Sequence, residues 1–132
     1  MIPFYIGAVM RKRAVELEKE RKAARAVEKL TESDTDLVVV TENGEPLGVF
    51  AHTEVVELVD DETGVSATSL GDCPLSPVVT VDESESLETA AAMMKENNLR
   101  YLLVTKANEI VGYLTDREIS KAVAKSEGKS SK

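Results

Sequence analysis

The sequence predicts an α+β chain built from two tandem β-α-β-β-α motifs, and three observations carry that prediction. Shifting the 132-residue chain by 64 positions lays residues 37–59 over 101–123 without a gap. Val40 then falls on Val104, Thr41 on Thr105, Glu45 on Glu109, Gly48 on Gly112, Glu54 on Glu118 and Val59 on Val123. The same register continues upstream, with Gly7 on Gly71, Val15 on Val79 and Ala26 on Ala90. Second, each copy alternates apolar runs of strand length with a stripe of helical period. Third, turn-forming residues stand at matching offsets between those runs. The expected organisation is a first, degenerate motif over residues 1–65, a second over 66–125 and a disordered polar tail over 126–132.

In the first copy, residues 1–13 lead in. Residues 14–17 align with 78–81, a clear apolar strand, so the repeat predicts a short strand here. Local propensity points instead to one long helix through AVELEKERKAARAVEKL, which is rich in strong helix formers; we side with the repeat. Ala23, Ala26, Val27 and Leu30 then give the i, i+3, i+4, i+7 stripe of a packed helix. Residues 37–40 form a strand, Asn43-Gly44 a hairpin turn and residues 47–50 the partner strand. Val55, Val56, Leu58 and Val59 belong to a closing helix that ends in Asp60-Asp61-Glu62. Residues 63–77 connect the copies, punctuated by Gly64, Gly71, Pro74 and Pro77.

The second copy opens with a strand over 78–81. Residues 82–86 offer helix caps, and Leu87, Ala90, Ala91 and Met94 repeat the helical stripe. Met93-Met94 reads as core filler and not as a soft-metal site. Asn97-Asn98 ends that helix. Residues 101–104 form a buried strand, Ala107-Asn108 a turn, and residues 110–114 a second strand with Gly112 at its middle. A glycine there marks a place where a ligand or another backbone comes close. Thr115-Asp116-Arg117-Glu118 starts the closing helix with the residues of a capping box.

Composition narrows the function. A 42% apolar share argues against disorder, and no apolar run approaches a membrane span. The basic residues near the start follow the apolar stretch, the reverse of a secretory signal. One cysteine, Cys73, excludes an internal disulfide and points to a cytoplasmic setting; it reads as a small buried side chain. The net charge is −8, and residues 31–94 hold fifteen acidic residues with no Lys or Arg, which disfavours nucleic-acid binding. The single histidine, His52, aligns with Asp116 near a helix start and has no second ligand for a metal. No nucleophile elbow is present. The composition therefore gives no metal, no cofactor and no catalytic constellation.

The doubled strand-helix-strand-strand-helix order, with an apolar strand running into Gly112-Tyr113-Leu114-Thr115-Asp116-Arg117-Glu118-Ile119, resembles the cystathionine β-synthase (CBS) domain family. Two such motifs in tandem are similar to a Bateman module. The resemblance implies a pseudo-twofold pair packed through its sheets, with two clefts for adenosine nucleotides. It implies a family ligand motif of Gly, two apolar residues, Thr or Ser, two variable residues and Asp. The hydroxyl meets phosphate there, and the acid takes the ribose hydroxyls. Gly112, Thr115 and Glu118 match it, with Glu in place of Asp. The wider second-copy set it implies adds Val79, Thr80, Arg100, Tyr101, Tyr113, Asp116 and Arg117. Arg100 stands where the family often has a basic residue that reaches the phosphate, and from the residues alone it reads as a surface arginine at the end of a loop.

The first copy supplies a weaker set of Gly48, His52 and Glu54; Ala51 replaces the hydroxyl, and Asp36 stands where the second copy has Arg100. From the residues alone, Thr115 and Glu118 read first as an ordinary capping box and Gly112 as close packing; the duplication and the resemblance raise nucleotide binding to an equal reading. The implied function is a regulatory sensor of AMP, ADP, ATP or S-adenosylmethionine, a cytoplasmic homodimer acting on a partner enzyme without catalysis. The alternative is a ligand-free dimerisation or docking protein.

Overall fold

A computed structural model describes residues 4–32, 35–59 and 64–127. In chain order the elements begin with α1 (Ile6–Val9), β1 (Arg11–Lys12), β2 (Val15–Glu18), α2 (Ala23–Glu32), β3 (Leu37–Glu42), β4 (Glu45–Ala51) and α3 (His52–Val59). They continue with α4 (Gly64–Ala67), a 3₁₀ turn at Leu70–Asp72, β5 (Thr80–Asp82), α5 (Leu87–Asn97), β6 (Tyr101–Lys106), β7 (Glu109–Thr115) and α6 (Asp116–Glu127). The chain divides into two compact units, one of Ala14–Val78 and one that joins Met1–Arg13 to Val79–Lys132.

Both units use one plan. In the first, β2 runs parallel to β3, which pairs antiparallel with β4. In the second, β5 runs parallel to β6, which pairs antiparallel with β7. Helices α2 and α5 make the crossovers that parallel pairing requires. Each hairpin carries its register shift at the same repeat position, between Val40 and Thr41 and between Val104 and Thr105. The strand expected over 14–17 is present as β2, so the repeat outweighs helix propensity there. Leu17 sits in the core, which a solvated helix would not give it.

The turns follow the sequence too. Asn43 and Gly44 both adopt positive φ, 52° and 83°, as a two-residue primed turn demands. Ala107 and Asn108 do the same at 53° and 68°, although an alanine gains nothing from that conformation. Asn98 closes α5 in the left-handed region, and Ser86 caps its start by accepting from the Thr89 N–H.

Three expectations need correction. The strand of the second copy covers Thr80–Asp82 and not 78–81, although the Val79 carbonyl already accepts from the Leu103 N–H. Helix α6 continues to Glu127, past the expected start of the tail; residues 128–132 lie outside the described residues, as do Asp60, Asp61 and Glu62. Residues 63–77 are more than a connector, and 1–13 more than a lead-in. Leu70, fully buried, and Cys73 join the core of the first unit, where Leu75 packs against them. Ile6, fully buried, joins the core of the second unit, and β1 pairs antiparallel with β7. Each segment preceding a copy in sequence therefore folds onto the other copy. Burying one such side chain stabilises by about 1.5–3 kcal/mol, enough to hold a short segment. The Gly- and Pro-rich composition masks these anchors.

The two motif glycines seat those segments. A Cβ on Gly112 would lie 2.2 Å from the Arg11 carbonyl oxygen, and one on Gly48 would lie 2.7 Å from Leu75 Cβ. The close approach predicted at Gly112 is thus met by backbone.

Candidate functional site

The junction of β7 and α6 gathers the polar residues of the motif. Thr115 is the last residue of the strand, and its side chain accepts from the Arg117 N–H at 3.2 Å. Glu118 Oε1 accepts from the Thr115 N–H at 2.9 Å and from its hydroxyl at 2.5 Å. The reciprocal bonds are a complete capping box, which satisfies donors that a helix start leaves orphaned. Glu118 is only 4% exposed, yet its other oxygen, Oε2, is buried with no hydrogen-bond partner among the described residues. Native proteins rarely leave a buried carboxylate oxygen in that state, so it calls for an explanation.

The first copy supplies the contrast. Glu54 is equally buried, and its Oε1 accepts from the Ala51 N–H at 2.8 Å. Its second oxygen accepts from the Ser76 hydroxyl at 2.6 Å. Ser76 pairs with Val49 across the sheet, and in the second unit Arg11 pairs with Tyr113, the repeat counterpart of Val49. The Arg11 guanidinium lies over the Tyr113 ring, 5.8 Å from its centroid. One carboxylate is fully satisfied from within the chain; the other is not.

Glu118 also lines an open cavity of about 240 Å³ between α1 and α6. Phe4, Ala8, Val9 and Ala122 form its apolar wall, and Lys121 and Lys125 add two cations. The volume is below the roughly 300–1,000 Å³ of whole small-molecule sites, so it suits one end of a ligand.

A model of the CBS domain matches this chain twice, over residues 6–61 and 70–125. The chain belongs to the CBS domain family. Solved CBS structures share its fold. A CBS-domain protein of Thermoplasma acidophilum has a TM-score of 0.79 at 17% identity, over 89% of this chain and 68% of that one. CBSX2, solved in complex with AMP, has a TM-score of 0.74 at 24% identity, over 94% and 98% of the two chains. A CBS domain protein of Pyrobaculum aerophilum complexed with AMP has a TM-score of 0.74 at 20% identity, over 87% and 89%. In sequence the chain is 28% identical over 128 residues to the chloride channel protein ClC-Ka of Oryctolagus cuniculus, and it spans 19% of that channel's length.

Within the second CBS copy, the structure brings some of the expected residues together and leaves others apart. Arg100 is exposed, and its carbonyl accepts from the Asp116 N–H at 3.0 Å, which ties the β6 entry to the helix start. Tyr101 pairs with Thr115 in the β6–β7 ladder, and Thr80 with Leu103. Val79 packs partly buried against the core, Tyr113 is 1% exposed, and Asp116 and Arg117 face solvent. In the first copy Gly48 lies beneath Leu75 and Ser76, while His52 is exposed as the first residue of α3.

Sequence reasoning missed Ser76 and the cavity residues Phe4, Ala8, Val9, Lys121 and Lys125. For the lysines a signal existed. Positions 118, 121, 122 and 125 share one helix face, and the repeat sets Lys121 and Lys125 against Glu57 and Asp61. For Ser76 and the α1 residues no local signal exists, because each reaches its site by folding onto the other copy.

Proposed function

We propose that this CBS pair is a regulatory module that senses an adenosine-containing ligand, AMP, ADP, ATP or S-adenosylmethionine, in its second copy and catalyses nothing itself. The observation that carries the reading is the buried Glu118 carboxylate, held by its capping box with one oxygen unpartnered, at the motif position that takes ribose hydroxyls in the family. A ribose hydroxyl supplies the missing donor. The AMP complexes of CBSX2 and the Pyrobaculum protein support the ligand class. Thr115 positions Glu118 through its own hydroxyl. The wider set from Val79 to Arg117 named above stays what the resemblance implies, and none of it lines the cavity beside Glu118. Gly48, His52 and Glu54 form the poorer site, because Ser76 already occupies Glu54.

A second observation supports association. Val56 and Val59 on α3 are 68% and 76% exposed, an apolar face that suits a homodimer or a partner enzyme. No nucleic acid or membrane enters this reading, and the single cysteine fits a cytoplasmic setting. Sedimentation at micromolar concentration should give a dimer; a monomer removes that part.

Thermal melting with each of the four ligands tests the sensor. At least one should raise Tm in the wild type and leave Glu118→Gln unmoved, since the amide puts a donor where an acceptor is needed. A wild type indifferent to all four leaves only the docking role.

A further inference from the structure

We propose that the cavity between α1 and α6 is a second ligand pocket, for a compact branched aliphatic molecule that carries one hydroxyl. The pocket is distinct from the nucleotide reading above and stands or falls separately from it.

The first copy displays the shape of such a ligand in its own chain. Phe4, Ala8, Val9 and Ala122 make the apolar wall of the cavity, and Glu118 is its acid. The repeat sets Ala122 against Leu58, Val9 against Cys73 and Glu118 against Glu54. Leu58 and Cys73 are buried in the core of the first unit, so a leucine side chain fills there what the Ala122 methyl leaves open in the second. The first copy also supplies the polar half. Glu54 Oε2 accepts from the Ser76 hydroxyl at 2.6 Å, whereas Glu118 Oε2 has no donor among the described residues. Branched aliphatic carbon and one hydroxyl are what the first copy sets beside its acid, and both have to reach the second copy from outside.

The energetics select the same molecule. Carbon laid against Phe4, Ala8, Val9 and Ala122 leaves water, which favours an apolar body. One hydroxyl gives the buried carboxylate a charge-assisted bond and removes the cost of an acceptor left unmade. A polyol would strand its further hydroxyls against the apolar wall, and a bare hydrocarbon would leave Oε2 unsatisfied. The nucleotide reading gives the same oxygen to a ribose hydroxyl, so the two ligands compete for it; the Ala122 wall belongs to the aliphatic one alone.

Nuclear magnetic resonance titration of the full chain tests the pocket, with isoamyl alcohol as the probe and isoamyl methyl ether as a control that keeps the carbon body and lacks the donor. The wild type should bind the alcohol saturably, with shifts gathered on residues 4–9 and 118–125, and the ether about tenfold more weakly. Ala122→Leu supplies the aliphatic part from the chain, so Tm should rise by a few degrees and the saturable response to the alcohol should vanish. Any Tm shift that AMP gives the wild type should persist in Ala122→Leu, which keeps failure of this pocket apart from failure of the nucleotide site. Shifts that stay linear in alcohol or spread over the whole chain overturn the proposal. So does equal affinity for alcohol and ether, or an Ala122→Leu chain that binds the alcohol as the wild type does. The ether comparison needs only the wild type, so it decides the matter even where the variant does not fold.

Discussion

The two copies end in the same way, with a strand running into a helix and a buried glutamate reaching back to the strand, but they treat that glutamate differently. Glu54 has both oxygens occupied by the chain itself, one by the Ala51 N–H and one by Ser76. Glu118 has one oxygen occupied twice and the other unpartnered, beside a cavity with two lysines. The duplication keeps the acid in both halves and completes its hydrogen bonds in only one. The first copy turned a motif position into a brace; the second kept it open. The divergence rests on few residues: Ser76 against Arg11 across the ladder, Ala51 against Thr115, and Glu57 against Lys121.

The largest expected difference between the copies lies under the exchanged segments. Gly112→Ala places a methyl 2.2 Å from a backbone carbonyl, so β1 must move off the sheet. Overpacking against backbone should cost about 3 kcal/mol or more in urea unfolding. Gly48→Ala meets the Leu75 side chain at 2.7 Å and the Ser76 carbonyl at 3.2 Å. Leu75 Cβ is fixed to its backbone, so that segment must shift too, but the overlap is smaller than at Gly112 and the cost should be about 1–2 kcal/mol. Equal losses would mean that the two segments are seated alike.

Next comes Ser76→Ala, which leaves a Glu54 oxygen in the state that Glu118 Oε2 already has. The expected loss is about 1–3 kcal/mol of unfolding free energy, the cost of a buried acceptor left unmade. An unchanged midpoint would show that water or a rearranged side chain satisfies Glu54 freely, and the contrast between the copies would shrink.

The smallest effect is at the turns. Ala107 sits at φ 53° where the first copy has Asn43 at φ 52°. Ala107→Asn should stabilise by about 0.5–1 kcal/mol, because Asn tolerates the left-handed region and Ala does not. Asn43→Ala should lose a similar amount. A thermal melt of both variants checks the pair.

These residues also show what the sequence made legible. The repeat register located every strand of both sheets except β1, and it overrode helix propensity at Val15–Glu18. It succeeded because side-chain period and turn chemistry are local, and a duplication states each of them twice. It also located the capping box, since the box spans three residues of one helix turn. It did not reveal the exchange of residues 4–13 and 69–78 between copies. Ser76 and Glu54 are 22 residues apart, and only the folded sheet brings them together. The cavity stayed hidden for the same reason, because Phe4, Ala8 and Val9 reach it from the segment that precedes the first copy. The lysines alone were readable, as a change of sign between repeat-equivalent positions.

The central claim is that the second copy holds the ligand and the first is closed by its own chain. Calorimetric stoichiometry of AMP, compared among the wild type, Glu54→Gln and Glu118→Gln, tests it most directly. The account predicts one AMP per chain in the wild type and in Glu54→Gln, and no measurable binding in Glu118→Gln. Two AMP per chain in the wild type, or binding that survives in Glu118→Gln and is lost in Glu54→Gln, would contradict it.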